Sequence, residues 1–120
     1  MAKILIIDDS RTSRKILRGI FENNGHEVIG EAVDGKDGVE KYKELKPDIA
    51  TLDITMPVLV GVSALKEIID FDKDAKVIMV TAAGQQNNVV EAIKMGASEF
   101  VTKPFDEHII VDVVSRLSEE

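Results

Sequence analysis

Five short apolar runs, each followed by a longer amphipathic stretch, restrict the folds open to this chain more than any other feature. Continuous runs rich in Ile and Val are typical of strands that are buried on both faces of a parallel sheet. The runs are Ile4–Ile7, Val28–Ile29, Ile49–Leu52, Val77–Val80 and Phe100–Val101. The alternation predicts an α/β fold, in which right-handed crossovers place helices on both faces of a doubly wound parallel sheet.

The stretches between the runs carry apolar residues at the spacings of three and four that indicate amphipathic helices. Asp106 is placed to cap the last helix, and Gly25 favours the end of the first. Gly19 and Gly38 are expected to weaken two helices slightly. The predicted helices are Arg11–Asn24, Lys36–Leu45, Val62–Phe71, Asn87–Met95 and Glu107–Leu117. With 120 residues, the chain is expected to form one domain, residues 1–120.

Composition excludes several classes of site and partner. Because cysteine is absent, disulfides, thiolate nucleophiles and Cys-based metal sites are excluded. The net charge of −7 argues against a nucleic-acid-binding surface, which needs a basic face, but not against cations. The N-terminal apolar run is too short for a secretory signal or a membrane span. We therefore expect a cytoplasmic protein with no nucleic-acid or membrane partner.

Chemically active side chains follow four of the five predicted strands. Asp8 and Asp9 follow the first strand, Asp53 the third, Thr81 the fourth and Lys103 the fifth. In doubly wound folds, ligands bind at the carboxyl ends of the strands, near the point where strand order reverses. Carboxylates held close together repel one another unless a cation compensates. The pattern therefore predicts a cation site at this edge of the sheet.

The residue types at this edge suit magnesium-dependent phosphoryl transfer. Mg²⁺ prefers oxygen ligands, here the acidic pair, Asp53 and the backbone carbonyl of Thr55, and Mn²⁺ is expected to substitute. The metal would leave Asp53 ionised and able to attack phosphorus. Phosphoryl transfer needs positioning and charge stabilisation above all, which Lys103 and the hydroxyl of Thr81 would supply.

In this order, the residues resemble the receiver domains of two-component response regulators, most of all the stand-alone chemotaxis regulators of the CheY type. The shared pattern is an acidic pair, a lone Asp, Thr-Ala and Lys-Pro-Phe, and it extends from Lys3 to Leu117. The resemblance implies a single flavodoxin-like (βα)₅ domain with a five-stranded sheet in the order 2-1-3-4-5, an order carried over from the family. It also implies a cis peptide before Pro104.

The resemblance further implies a phosphorylation-dependent switch. A phosphohistidine on a sensor kinase or phosphotransfer domain would supply the phosphoryl group to Asp53. The domain would catalyse its own phosphorylation and dephosphorylation, without conventional turnover. Thr81 would then move inward and the aromatic Phe100 would follow. This would change a target-binding face formed by the fourth helix, fifth strand and fifth helix of a protein that is monomeric by default.

Several residues are open to a second interpretation. The acidic pair could instead cap the helix that follows it. One helix face carries four basic residues, which form either a solvated face or a docking face for the kinase: Arg11, Arg14, Lys15 and Arg18. The apolar loop run Val58–Val60 departs from the family pattern, and marks either a contact or a segment packed on the third helix.

Other functions fit the sequence less well. A flavodoxin-like electron carrier needs a phosphate-cradling loop after the first strand, where this chain has two carboxylates. A magnesium-dependent phosphatase with an Asp nucleophile generally needs a cap or substrate pocket, for which the chain leaves little room. A receiver from a phosphorelay outside chemotaxis would share the pattern. A degenerate receiver acting only as a binding scaffold would usually lack one of the five site residues, and all five are present.

Overall fold

The computed structural model describes residues 1–54, 61–82 and 86–118. Strands and helices alternate along these ranges. The strands are β1 (Lys3–Ile7), β2 (Glu27–Ala32), β3 (Ile49–Asp53), β4 (Val77–Thr81) and β5 (Glu99–Thr102). The helices are α1 (Arg11–Asn23), α2 (Gly35–Leu45), α3 (Gly61–Phe71), α4 (Gln86–Lys94) and α5 (Glu107–Ser118).

The strands pair in parallel in one five-stranded sheet with the order β2-β1-β3-β4-β5. Successive side chains of a strand point to opposite faces, so each inner strand contributes to two apolar cores. One core lies between the sheet and helices α2, α3 and α4, and includes Leu5 and Leu52. The other lies between the sheet and helices α1 and α5, and includes Ile4 and Ile6. The predicted doubly wound α/β fold is therefore confirmed.

The second strand is longer than the apolar run from which it was predicted. Apolar patterning did not extend it past Ile29 because Gly30 and Glu31 follow. The strand extends beyond Ile29 to Ala32. A Cβ atom at Gly30 would lie 2.7 Å from Cδ1 of Leu45, so a larger side chain there would crowd α2. The carboxylate of Glu31 pairs with basic residues of α1. Gly30 and Glu31 of this edge strand thus contact residues of α2 and α1. A search for apolar runs does not detect such strand residues.

The helix ends follow local hydrogen-bonding rules. Asp106 caps α5, as predicted, accepting hydrogen bonds from the N–H groups of His108 at 2.9 Å and Ile109 at 3.4 Å. The cap of α1 is Ser10, whose hydroxyl accepts from the N–H of Ser13 at 3.2 Å. The acidic pair therefore does not cap this helix, and its carboxylates remain for other uses.

Two helical glycines differ in their surroundings. A Cβ atom at Gly38 would lie 2.6 Å from Cγ2 of Ile7, so this glycine lets α2 approach β1 closely. A Cβ atom at Gly19 would meet no atom within 4 Å. The expected cost to helix propensity thus coincides with a packing requirement at Gly38 only. None of the described helices has both the length and the apolar character of a membrane span.

Candidate functional site

The carboxyl ends of the inner strands bring three acidic side chains together where strand order reverses, between β1 and β3. One carboxylate oxygen from each of Asp8, Asp9 and Asp53 lies within 4.8 Å of the other two. Asp8 and Asp53 are buried, with exposed fractions of 1% and 5%, whereas Asp9 is exposed. The sheet therefore gathers the carboxylates that the sequence placed at its strand ends.

Asp8 is held by hydrogen bonds at each of its polar groups but one. Its N–H donates to the carbonyl of Ala32 at 3.0 Å. Its carbonyl accepts from Nη1 of Arg14 at 2.7 Å, and its Oδ1 accepts from the N–H of Ser10 at 2.8 Å. The remaining oxygen, Oδ2, is buried without a hydrogen-bond partner in the described part of the chain, although Nζ of Lys103 lies 3.4 Å away.

Lys103 supplies the ammonium group of the cluster. Its backbone N–H donates to the carbonyl of Thr81 at 2.8 Å, and the Lys103–Pro104 peptide is cis, as the resemblance implied. Its Nζ lies 3.3 Å from Oδ2 of Asp53 and 3.4 Å from Oδ2 of Asp8. This places one cation between the two buried carboxylates.

Burial and mutual repulsion govern the electrostatics of the cluster. Burial raises the pKa of Asp8, and the nearby charge of Asp53 raises it further against the lowering effects of the Ser10 N–H and Lys103. Burial alone would lower the pKa of Lys103, but the charges of Asp53 and Asp8 outweigh it, so the pKa of Lys103 is raised. Lys103 therefore stays protonated, and its single positive charge only partly compensates the negative charge of three carboxylates.

These features fit a hard divalent cation. Its usual ligands in proteins are carboxylate and carbonyl oxygens, and here three carboxylate oxygens converge. The buried Oδ2 of Asp8 accepts no hydrogen bond among the described residues, and the nearby ammonium of Lys103 is shared with Asp53. A divalent cation would compensate the buried negative charge that this shared ammonium leaves. The Thr55 carbonyl that the sequence suggested as a further ligand lies outside the described residues, as does Val58–Val60.

Thr81 and Phe100, the predicted switch residues, line the same groove between α4 and β5. The groove has a volume of about 550 Å³. Thr81 is buried, and its hydroxyl donates to the carbonyl of Ala82 at 3.3 Å. Phe100 is 46% exposed. Both predicted switch residues therefore lie on one groove, and the switch itself stays a prediction.

The basic face of α1 is not uniform. Arg14 and Arg18 pair with Glu31 at 3.0 Å and 2.7 Å, so both side chains are engaged within the fold, although that of Arg18 is still 37% exposed. Arg11 and Lys15 are exposed. The link from Glu31 through Arg14 to Asp8 was missed at the level of sequence, where its only signal is an acidic residue just beyond a predicted strand.

Comparisons with known proteins agree with this geometry. Residues 4–115 match the response regulator receiver domain family. The chain is 49% identical over 116 residues to chemotaxis protein CheY of Thermotoga maritima, covering 97% of both proteins. It is 46% identical to protein CcdB of Bacillus subtilis, covering 98% of both. The crystal structure of a CheX–CheY–BeF3–Mg complex from Borrelia burgdorferi contains a similar chain, with 40% identity, a TM-score of 0.92, and coverage of 97% of this chain and 88% of that one.

Proposed function

The chain belongs to the response regulator receiver family, and from this premise we propose that residues 1–120 form one receiver domain whose phosphoacceptor is Asp53. Receiver domains act in phosphorylation-dependent signalling, and this function applies to the chain. The observation that carries the assignment of Asp53 is its position: it is buried at the end of β3, beside two further carboxylates and 3.3 Å from Nζ of Lys103. We assign the pathway to chemotaxis, because relatives at 49% and 45% identity are chemotaxis proteins CheY.

In the proposed reaction, a carboxylate oxygen of Asp53 attacks the phosphorus of a phosphohistidine on a sensor kinase or phosphotransfer domain. The new P–O bond forms as the P–N bond breaks, and the electron pair of the P–N bond returns to the imidazole nitrogen. Lys103 holds phosphoryl oxygens by charge, and the hydroxyl of Thr81 turns from the carbonyl of Ala82 to donate to one of them. These residues supply the positioning and charge stabilisation on which phosphoryl transfer depends.

We assign Mg²⁺ to the acidic cluster, with Mn²⁺ as a substitute. Asp8, Asp9 and Asp53 would hold it, together with the carbonyl of Thr55. When bound, Mg²⁺ neutralises charge that develops on the phosphoryl oxygens. The Borrelia burgdorferi complex, which includes Mg, supports this choice of metal.

The proposed target-binding face is formed by α4, β5 and α5. Its support is a group of large apolar side chains with exposed fractions of 45–55%, namely Val90, Ile93, Phe100 and Ile109. Exposed apolar groups of this kind, when they lie together, mark interaction sites. In the proposed switch, a phosphoryl group on Asp53 draws Thr81 inward and Phe100 moves into the groove, so that a target distinguishes the two forms of a monomeric protein.

Intact-mass spectrometry after incubation with acetyl phosphate tests this function. We expect one phosphoryl adduct in the presence of Mg²⁺, none in EDTA, and none in the Asp53→Asn variant. Asp70→Asn is the matched control, because the Asp70 side chain on α3 is 66% exposed. This variant should still be phosphorylated on Asp53 as the wild type is. An adduct that persists in Asp53→Asn, or that forms equally well in EDTA, would contradict the proposal.

A further inference from the structure

Arg14 links three elements of the fold. Its Nε lies 3.0 Å from Oε1 of Glu31 on β2, and its Nη1 donates to the carbonyl of Asp8, just after β1, at 2.7 Å. Although α1 presents a basic face, the side chain of Arg14 is only 14% exposed. Arg14 is therefore an internal connection rather than a surface charge.

The bond to Asp8 lies where the sheet no longer fixes the backbone. The register of β1 with both of its neighbours ends at Ile7. The N–H of Asp8 still reaches Ala32, but its carbonyl lies beyond the ladder and accepts from Arg14 instead. That carbonyl belongs to the planar peptide that joins Asp8 to Asp9. Arg14 thus fixes the orientation of the peptide between two of the three clustered acids.

Arg14 is itself held in place by Glu31. Oε1 of Glu31 pairs with Arg14 and Oε2 pairs with Arg18 at 2.7 Å. The backbone carbonyl of Glu31 accepts a hydrogen bond from Lys41 of α2. Charge-assisted bonds to guanidinium groups are among the stronger hydrogen bonds in proteins and fix geometry well. Glu31 therefore anchors Arg14 to a strand that is tied to helices on both faces of the sheet.

We propose that Arg14 is a positioning residue for the metal site: by holding the Asp8–Asp9 peptide, it sets where these two carboxylates stand. The inference rests on the divalent-cation site of the proposed function. Positioning and simple charge predict opposite results. Removing a cation near a metal site would, by charge alone, tighten metal binding. Weaker binding after loss of Arg14 therefore reports lost geometry.

The test compares Arg14→Met with Arg18→Met by isothermal titration calorimetry with Mg²⁺ and with Mn²⁺. Arg18 is a matched control, because it pairs with the same Glu31 carboxylate and carries the same charge. Outer-shell partners of metal ligands typically contribute ten- to a hundredfold in affinity, so we expect about tenfold weaker binding in Arg14→Met. Arg18→Met should bind metal as the wild type does. Urea unfolding of each variant gives the folded fraction under the titration conditions.

A kinetic measurement separates positioning from a general structural role. With acetyl phosphate as donor, Arg14→Met should raise the Mg²⁺ concentration needed for half-maximal phosphorylation by the same factor of about ten. The rate at saturating Mg²⁺ should return to the wild-type value. Arg14→Lys keeps the charge but not the planar guanidinium group that reaches two acceptors. Its metal affinity should therefore lie between those of the wild type and Arg14→Met. Arg14→Lys also carries the test if Arg14→Met does not fold.

Unchanged or tighter metal binding in the Arg14 variants would overturn the inference while leaving the metal site intact. Equal weakening in Arg18→Met would also overturn it, because the effect would then belong to the ion pairs with Glu31. If the wild-type protein bound neither Mg²⁺ nor Mn²⁺, the metal site of the proposed function would fail, and the positioning role with it.

Discussion

Two glycines within helices, Gly19 in α1 and Gly38 in the first turn of α2, should respond in opposite ways to the same substitution. Ala is favoured over Gly in a helix interior by about 0.8–1.0 kcal/mol. At Gly19 a new Cβ would meet no atom within 4 Å, so Gly19→Ala should raise the free energy of unfolding by most of that amount. At Gly38 the new Cβ would lie 2.6 Å and 2.9 Å from two side-chain atoms of Ile7, which is fully buried.

Relief of the Gly38 contact needs movement of about 1 Å toward ordinary van der Waals distance. Overpacking of this kind costs about 1–3 kcal/mol. After the gain in helix propensity, Gly38→Ala should lower the free energy of unfolding by up to about 2 kcal/mol. Because Ile7 directly precedes Asp8, the same variant should also weaken Mg²⁺ binding.

Urea unfolding followed by far-ultraviolet circular dichroism measures both variants under identical conditions. The expected result is a higher midpoint for Gly19→Ala and a lower one for Gly38→Ala. Equal shifts in the same direction would contradict a packing constraint at Gly38, since helix propensity alone would then account for both. A stabilised Gly38→Ala would show that α2 does not approach β1 as closely as described.

Three further predictions concern single groups. The buried Oγ1 of Thr51 has no hydrogen-bond partner among the described residues, so Thr51→Val should stabilise the protein by about 1 kcal/mol in urea unfolding, whereas Thr51→Ser, which keeps the hydroxyl, should not. Nδ1 of His26 accepts the N–H of Ala2 at 3.0 Å, and burial together with the N-terminal charge lowers the pKa of His26. Its stabilising contribution is therefore present above the unfolded-state pKa of about 6.5 and is lost as pH falls below it; the drop in urea midpoint between pH 7.5 and pH 5.5 should be smaller in His26→Gln, and an equal drop would contradict this. Mg²⁺ at ten times the dissociation constant of the wild type should stabilise the wild-type protein by about 1.4 kcal/mol in thermal unfolding. A similar gain in Asp8→Asn at the same Mg²⁺ concentration would contradict the proposed ligands.

Much of the fold could be predicted because its strands are buried on both faces. The runs that became β1, β3 and β4 are continuous in the sequence, and each is buried along nearly its whole length. The helices follow from ordinary amphipathic spacing. The extension of β2 was missed, since Glu31 is stabilised there by arginines of α1 rather than by burial.

The candidate site could be located from the sequence because a parallel sheet aligns the ends of its strands. Asp8, Asp53 and Lys103 needed only the rule that ligands gather at the carboxyl edge. The role of Ser10 as helix cap was less accessible, because either a serine or an acid can cap a helix. The contact of Arg14 with Asp8 depends on where β2 places Glu31, which no local pattern encodes. The same holds for Gly38, whose constraint comes from Ile7 on another element.

Chemical trapping identifies the residue that carries the phosphoryl group, which we propose to be Asp53. Borohydride reduces an aspartyl phosphate to homoserine, which peptide mass spectrometry then assigns to one residue. After treatment with acetyl phosphate and Mg²⁺, we expect homoserine at position 53 and unmodified aspartate at positions 8 and 9. Homoserine at position 8 or 9, or a stable phosphate on another residue, would contradict it.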